Sequence, residues 1–102
     1  MTRPLVVLPE AEEELFAAMQ WYETRRPGLG MEFIGVVEHA LGRIADSPGQ
    51  FAVWTADSRY RRAVLDRFPY VVLFEERPEA VEVVAVAHAK RRPGYWADRS
   101  HR

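Results

Sequence analysis

The chain has 102 residues, 48% of them hydrophobic and 28% charged, with a formal net charge of -1 and no cysteine. That is the size of one ordinary domain, and the composition excludes a disordered, collagen-like or coiled-coil protein. Without cysteine there is no disulfide, thiolate nucleophile or cysteine zinc site, and a reducing cytoplasm is the expected home.

The first apolar run, Leu5–Leu8, is too short for a secretory signal, and no window approaches the about 18 apolar residues of a membrane span. A soluble protein with no membrane partner is expected. Leu5–Leu8 instead reads as a short strand stopped by Pro9. Proline also suits the first position of a helix, and Glu10, Glu12, Glu13 and Glu14 complement its positive end. Ala11, Leu15, Ala18, Met19 and Tyr22 then recur at helical spacing. Arg25 and Arg26 favour the C-terminus, and Pro27-Gly28 ends the helix.

A second helical stripe follows in Leu29, Phe33, Val36, Val37, Ala40, Leu41 and Ile44, broken by Ser47-Pro48-Gly49. Residues 10–47 therefore read as a helical hairpin. Gly35 and Gly42 inside the second helix each cost about 1 kcal/mol in propensity, which close packing against a neighbour would justify.

The second half changes to strand chemistry. Tyr60–Asp66, Tyr70–Glu75 and Val81–His88 are short, rich in Val and aromatics, and joined by short links that favour antiparallel neighbours. In the last, Val81, Val83, Ala85 and Ala87 fall on one face and Glu82, Val84, Val86 and His88 on the other. Both faces are mostly apolar, which predicts a central, covered strand. Residues 50–58 read as loop or irregular strand. The order β-α-α-β-β-β predicts an α+β fold, a helical hairpin on a small, mostly antiparallel sheet of about four strands, as one domain over residues 1–102. The first strand is expected at an edge, or centrally beside a C-terminal strand.

The near-neutral total hides a polarity. Residues 1–51 carry four Arg against eight acids, a net of -4, and residues 52–102 carry ten Lys and Arg against seven acids, a net of +3. The tail from about residue 90 holds Lys90, Arg91, Arg92, Arg99 and Arg102 against Asp98. A basic end suits an anionic partner such as nucleic acid or an acidic protein segment; the alternative is a solvated tail.

Metal and cofactor chemistry find no support. His39, His88 and His101 have no partners at ligand spacing, nucleotide-binding glycine motifs are absent, and Ser47, Ser58 and Ser100 have no evident base. Glu12, Glu13 and Glu14 point in different directions on a helix and read as a solvated first turn rather than a carboxylate pair. Two basic constellations remain: Arg59-Tyr60-Arg61-Arg62, with Tyr60 and Arg62 on one face and Arg61 on the other, and His88-Ala89-Lys90-Arg91-Arg92-Pro93-Gly94-Tyr95-Trp96. Arg forks suit phosphate or carboxylate, and Tyr and Trp anchor interfaces or stack on bases. Equally, Tyr95 and Trp96 could simply pack the tail onto the domain.

Three phrases, in this order and spacing, carry a resemblance over nearly the whole chain: PEAEEELFAAMQWYETRRPGLGMEFIGVVEHALGRIADSPGQF, RRAVLDRFPYVVLFE and VEVVAVAHAKRRPGYW. The sequence resembles the RelE/ParE toxins of bacterial type II toxin–antitoxin modules, which implies the β-α-α-β-β-β fold above. RelE-like members cleave mRNA on the ribosome, with a basic cluster and a C-terminal Tyr or His acting on the 2′-hydroxyl and the phosphorane. ParE-like members bind and poison DNA gyrase.

Laid against the nuclease pattern, this chain keeps a basic residue at Arg61 and an aromatic at Tyr95. It has Ala63, Val71 and Ala89 where the nucleases carry Lys or Arg. Metal-free phosphodiester cleavage needs fixed cations and an acid–base pair, so the depletion favours the ParE-like branch. The resemblance then implies a gyrase inhibitor, with no cofactor, neutralised by a cognate antitoxin whose C-terminal segment folds on it. Arg59, Arg61, Arg62, Arg91, Arg92, Tyr95 and Trp96 are the expected target- or antitoxin-binding residues. The alternative is a ribosome-dependent mRNA endonuclease using Arg61, His88, Arg91 and Tyr95; a degenerate, non-toxic antitoxin partner is a third reading.

Overall fold

The computed structural model describes residues 3–99. Its elements are strand β1 (Leu5–Val7), helices α1 (Pro9–Arg25) and α2 (Leu29–Asp46), a 3-10 turn (Pro48–Gln50), and strands β2 (Val53–Trp54), β3 (Asp57–Val64), β4 (Tyr70–Glu76) and β5 (Val81–His88). Pro9 opens α1 with Glu10 and Glu12 in its first turn, as the helix dipole favours.

The hairpin turn is built on one carboxylate and two glycines. Gly28 takes a φ of 89° at the start of α2, a left-handed conformation open to a residue without Cβ. Glu23 accepts the backbone N–H groups of Gly28 and Gly30, each at 2.9 Å. A Cβ at Gly30 would lie 2.7 Å from the Met19 carbonyl oxygen, so the helices touch there. The close contact expected at Gly35 and Gly42 is absent: both look onto open space.

The sheet has five strands in the order β1-β5-β4-β3-β2, one more than expected, because part of the ambiguous 50–58 stretch forms β2 and starts β3. All neighbours are antiparallel except β1, which runs parallel to β5 at the edge, pairing Leu5 with Val81 and Val7 with Val83. The central position of β5 explains its apolar residues on both faces.

Strict alternation along β5 fails at one point. Leu73 pairs with Ala85 but Phe74 with Val83, so Val84 is an extra residue on β5, and a bulge reverses the facing of the residues beyond it. Val81, Val83 and Val86 join the core under the helices, while Val84, Ala85 and Ala87 join a second core on the opposite face. This replaces the Val81/Val83/Ala85/Ala87 grouping expected from the sequence.

The first core takes every residue of the two predicted helical stripes, with Phe33 and Tyr22 packed edge-on to Phe68 at 5.2 and 4.8 Å. The second is roofed by the C-terminal segment. Trp96 is 3% exposed and lies 4.7 Å from the ring of Tyr60, which is fully buried, and 4.8 Å from Trp54.

Candidate partner-binding site

Strand β3 divides its arginines by the pleat. Arg61 turns to the helix side, where Nε meets Glu76 Oε1 at 3.0 Å and Nη1 donates to the Phe51 carbonyl at 2.6 Å. Arg3 holds the same Glu76 at 2.6 Å, and the two guanidiniums, Arg3 foremost, keep the Glu76 carboxyl below its ordinary range. Arg59 is forked onto Asp57 at 2.6–3.1 Å. Arg62, two places from Tyr60, turns to the other face and lines a cleft there.

That cleft, about 130 Å³, lies between the sheet and the C-terminal segment. Arg62, His88, Arg91, Arg92, Tyr95 and Trp96 converge on it, together with Trp54 of β2. The second basic constellation and one arginine of the first are thus brought together, while Arg59 and Arg61 are spent on ion pairs elsewhere. Arg62 and Arg92 make no ion pair among the described residues, so their charge faces outward. Trp96 lends the cleft a wall but is nearly inaccessible, as in the packing alternative weighed for it. Serine 100, histidine 101 and arginine 102 lie outside the described residues.

The C-terminal segment is tied down by a residue that sequence reasoning missed. Glu14 is not a solvated first-turn acid: its side chain is 14% exposed and lies against strand β5. Its carboxylate accepts the Val86 N–H at 3.0 Å, the Tyr95 hydroxyl, and Arg99 Nη1 and Nη2 at 3.0 and 3.2 Å. Arg99 Nη1 also donates to the Val84 carbonyl at 3.0 Å. The pattern did hold a signal: Glu14 falls between Ala11 and Ala18, three and four residues away on the buried stripe, and an acid there needs donors. Burial first, and then the hydrogen bond to Glu14, push the Tyr95 hydroxyl well above its ordinary value of 10.0, so it is a bound donor rather than a proton acceptor.

Arg91 rides over this group, 3.8 Å from the Tyr95 ring centre and 3.8 Å from Glu14 Oε2, with 57% of its side chain exposed. On its other side opens a wider cleft of about 540 Å³ between α1 and the end of the sheet, floored by Ala18, Tyr22, Tyr70 and Val86 and edged by Trp21. His88 borders both clefts. Its Nδ1 accepts the Lys90 N–H at 3.1 Å and its ring sits edge-on to Tyr70.

No protein-family model matches the chain. Among solved structures it is similar to a chain of the chromosomal ParDE toxin–antitoxin system of P. aeruginosa, with a TM-score of 0.77 at 14% identity, covering 87% of this chain and 98% of that one. Among curated proteins it is similar to Toxin ParE2 of Mycobacterium tuberculosis in two strains, 31% identical over 94 residues, which is 91% of this chain and 88% of the relative. The chain belongs to the ParE toxin family.

As a ParE-family fold, its cleft can be set against the nuclease pattern position by position. Val71 and Ala89 do line the cleft, so cations are missing at both. Ala63 does not, because it is buried under the helices, and the cation that β3 delivers is Arg62 rather than Arg61. The cleft is therefore less depleted of positive charge than the aligned sequence implies. What this ParE-type cleft lacks is a free tyrosine hydroxyl. Among the described residues no group of His, Asp or Glu could hold a metal ion, and no helix is long and apolar enough to cross a membrane.

Proposed function

We propose that this ParE-family toxin acts in the cytoplasm by binding DNA gyrase and trapping it on cleaved DNA, and that a cognate antitoxin neutralises it. The observation that carries the reading is its relationship to Toxin ParE2 across 91% of the chain. The site's chemistry supports binding over cleavage. The Tyr95 hydroxyl donates its hydrogen bond to Glu14, and Arg61 is committed to Glu76 on the far side of the sheet. Of the four residues a nuclease would use, His88 and Arg91 alone remain available at the cleft.

Arg62, Arg91 and Arg92 are the cations we assign to partner recognition, with Tyr95 and Trp96 building the surface that presents them. Arg59 and Arg61 support strand β3 through their ion pairs. The solved ParDE system, from which the fold likeness comes, is a toxin–antitoxin system, and an acidic antitoxin segment complements the basic second half of this chain.

A supercoiling assay tests the proposal: purified toxin in stoichiometric excess is expected to inhibit gyrase and accumulate cleaved DNA. Unaltered supercoiling with no cleavage complex rejects it. A parallel translation reaction tests the alternative, since a ribosome-dependent endonuclease would leave cut mRNA there.

A further inference from the structure

Strand β1 covers only the first three residues of β5, Val81–Val83, and Leu8 adds one more hydrogen bond to the Val83 carbonyl at 3.0 Å. Beyond that point the outer edge of β5 is met by side chains. Arg99 takes the Val84 carbonyl and Glu14 takes the Val86 N–H. An uncovered strand edge is otherwise a liability, and here one carboxylate and one guanidinium, 85 residues apart in sequence, close it together.

Four donor groups converge on Glu14: the Val86 N–H, the Tyr95 hydroxyl and both terminal nitrogens of Arg99. A carboxylate offers two oxygens with about four lone-pair sites, whereas an amide offers one acceptor oxygen and would point its own donors at Arg99. The requirement is for a carboxylate. Its consequence reaches Arg91, whose guanidinium lies over the Tyr95 ring that Glu14 orients, within 3.8 Å of Glu14 itself. Arg91 borders the 130 Å³ and the 540 Å³ clefts alike.

We infer that Glu14 is a positioning residue for partner recognition: from helix α1 it draws Tyr95 and Arg99 against the open edge of β5, and so holds Arg91 on the ridge between the two clefts, where it meets an anionic group of the toxin's protein target. This rests on the proposed binding function for its last step, while the placement of Arg91 stands apart from it. Arg91 does not choose its own position. A long side chain more than half exposed has many rotamers, and a fixed aromatic platform with a carboxylate behind it selects one.

The test reads placement first. In the wild-type chain, with the Arg91 guanidinium 3.8 Å from the Tyr95 ring centre, ring current is expected to shift the Arg91 side-chain proton signals upfield in the NMR spectrum. Glu14→Gln is expected to return them toward free-arginine values, Glu14→Asp to restore part of the shift, and Tyr95→Phe, which keeps the ring but cuts its bond to Glu14, to reduce it. Function is read by gyrase supercoiling. Glu14→Gln is expected to weaken inhibition about tenfold, and Arg91→Ala to weaken it severalfold in the wild-type chain but less than about twofold in the Glu14→Gln background.

Unchanged Arg91 signals in Glu14→Gln overturn the inference, as does an Arg91→Ala effect of equal size in both backgrounds. Should Glu14→Gln not fold, Tyr95→Phe carries the same cycle. Wild-type toxin that leaves gyrase untouched rejects the target, not the positioning. The NMR arm still decides the latter, and the cycle is repeated on growth arrest upon induction.

Discussion

Tyr95 and Glu14 show how one contact redirects the chemistry available to a site. A tyrosine beside three arginines and a histidine suggests proton transfer, yet its hydroxyl is occupied by a carboxylate and raised in pKa by burial. The histidine can be tested alone. His88→Ala is expected to leave gyrase inhibition within about twofold, whereas a nuclease relying on it would lose about 10²-fold or more. Loss of its edge-on contact with Tyr70 is monitored by thermal unfolding. The arginines separate in the same way. Reversal of Arg62 and Arg92 to Glu is expected to weaken partner binding with little change in unfolding midpoint, because neither is ion-paired among the described residues. Reversal of Arg61 breaks the Glu76 pair and the Phe51 carbonyl bond, so it is expected to lower the midpoint itself.

Helices and strands were legible in proportion to how local their causes are. Both helical stripes appear in full in the core, since a 3.6-residue period needs no knowledge of the partner surface. The glycines of α2 are a different case. The same residue type stands at Gly30, where the Met19 carbonyl lies 2.7 Å from a built Cβ, and at Gly35 and Gly42, where nothing approaches. Gly35→Ala and Gly42→Ala are therefore expected to stabilise the protein by up to about 1 kcal/mol each, as read by urea unfolding. Gly30→Ala is expected to destabilise it by about 1–3 kcal/mol, because backbone rather than a flexible side chain must yield. Strand β2, two residues long with a shifted register, carried no period to detect. The bulge at Val84 arises from pairing with β4, and alternation within β5 gives no hint of it.

At the level of the complete chain, the sheet is a partition between two cores, and the smaller depends on the C-terminal segment. Trp96→Ala removes the ring covering Tyr60 and is expected to cost about 3 kcal/mol or more, measured by denaturant unfolding. The pH range of the fold is set by the charges that bind its parts. Arg3 and Arg61 lower Glu76, Arg67 and Arg26 lower Glu32, and the turn N–H groups of Gly28 and Gly30 lower Glu23. A carboxyl whose pKa is lower in the folded chain stabilises it above the unfolded value, and that contribution is lost as pH falls. Stability is expected to decline below the ordinary value of 4.5. Tyr95, Tyr22 and Tyr70 are raised by burial, which has the opposite sign. Their contribution is complete below the ordinary value of 10.0 and is lost above it. Unfolding free energy against pH is expected to show a plateau between these limits, and a curve that stays level well below the lower or well above the upper would contradict the assignment.

Composition, periodicity and turn residues are properties of neighbours in the chain, and they were enough to reveal the helical hairpin and the strand-rich second half, while the toxin family was legible only through the resemblance of three ordered phrases. They could also have marked Glu14 as an acid on a buried stripe. The groups that answer that acid lie 72 to 85 residues away, in the Val86 backbone, Tyr95 and Arg99. Likewise, Arg61 and Arg62 are adjacent letters of equal charge, and the pleat sends one to an ion pair and the other to the open cleft. Charge can be counted along a chain. Whether it is neutralised or presented depends on which distant groups folding brings within a few ångströms, and that is a property of the packed sheet and the segment laid across it.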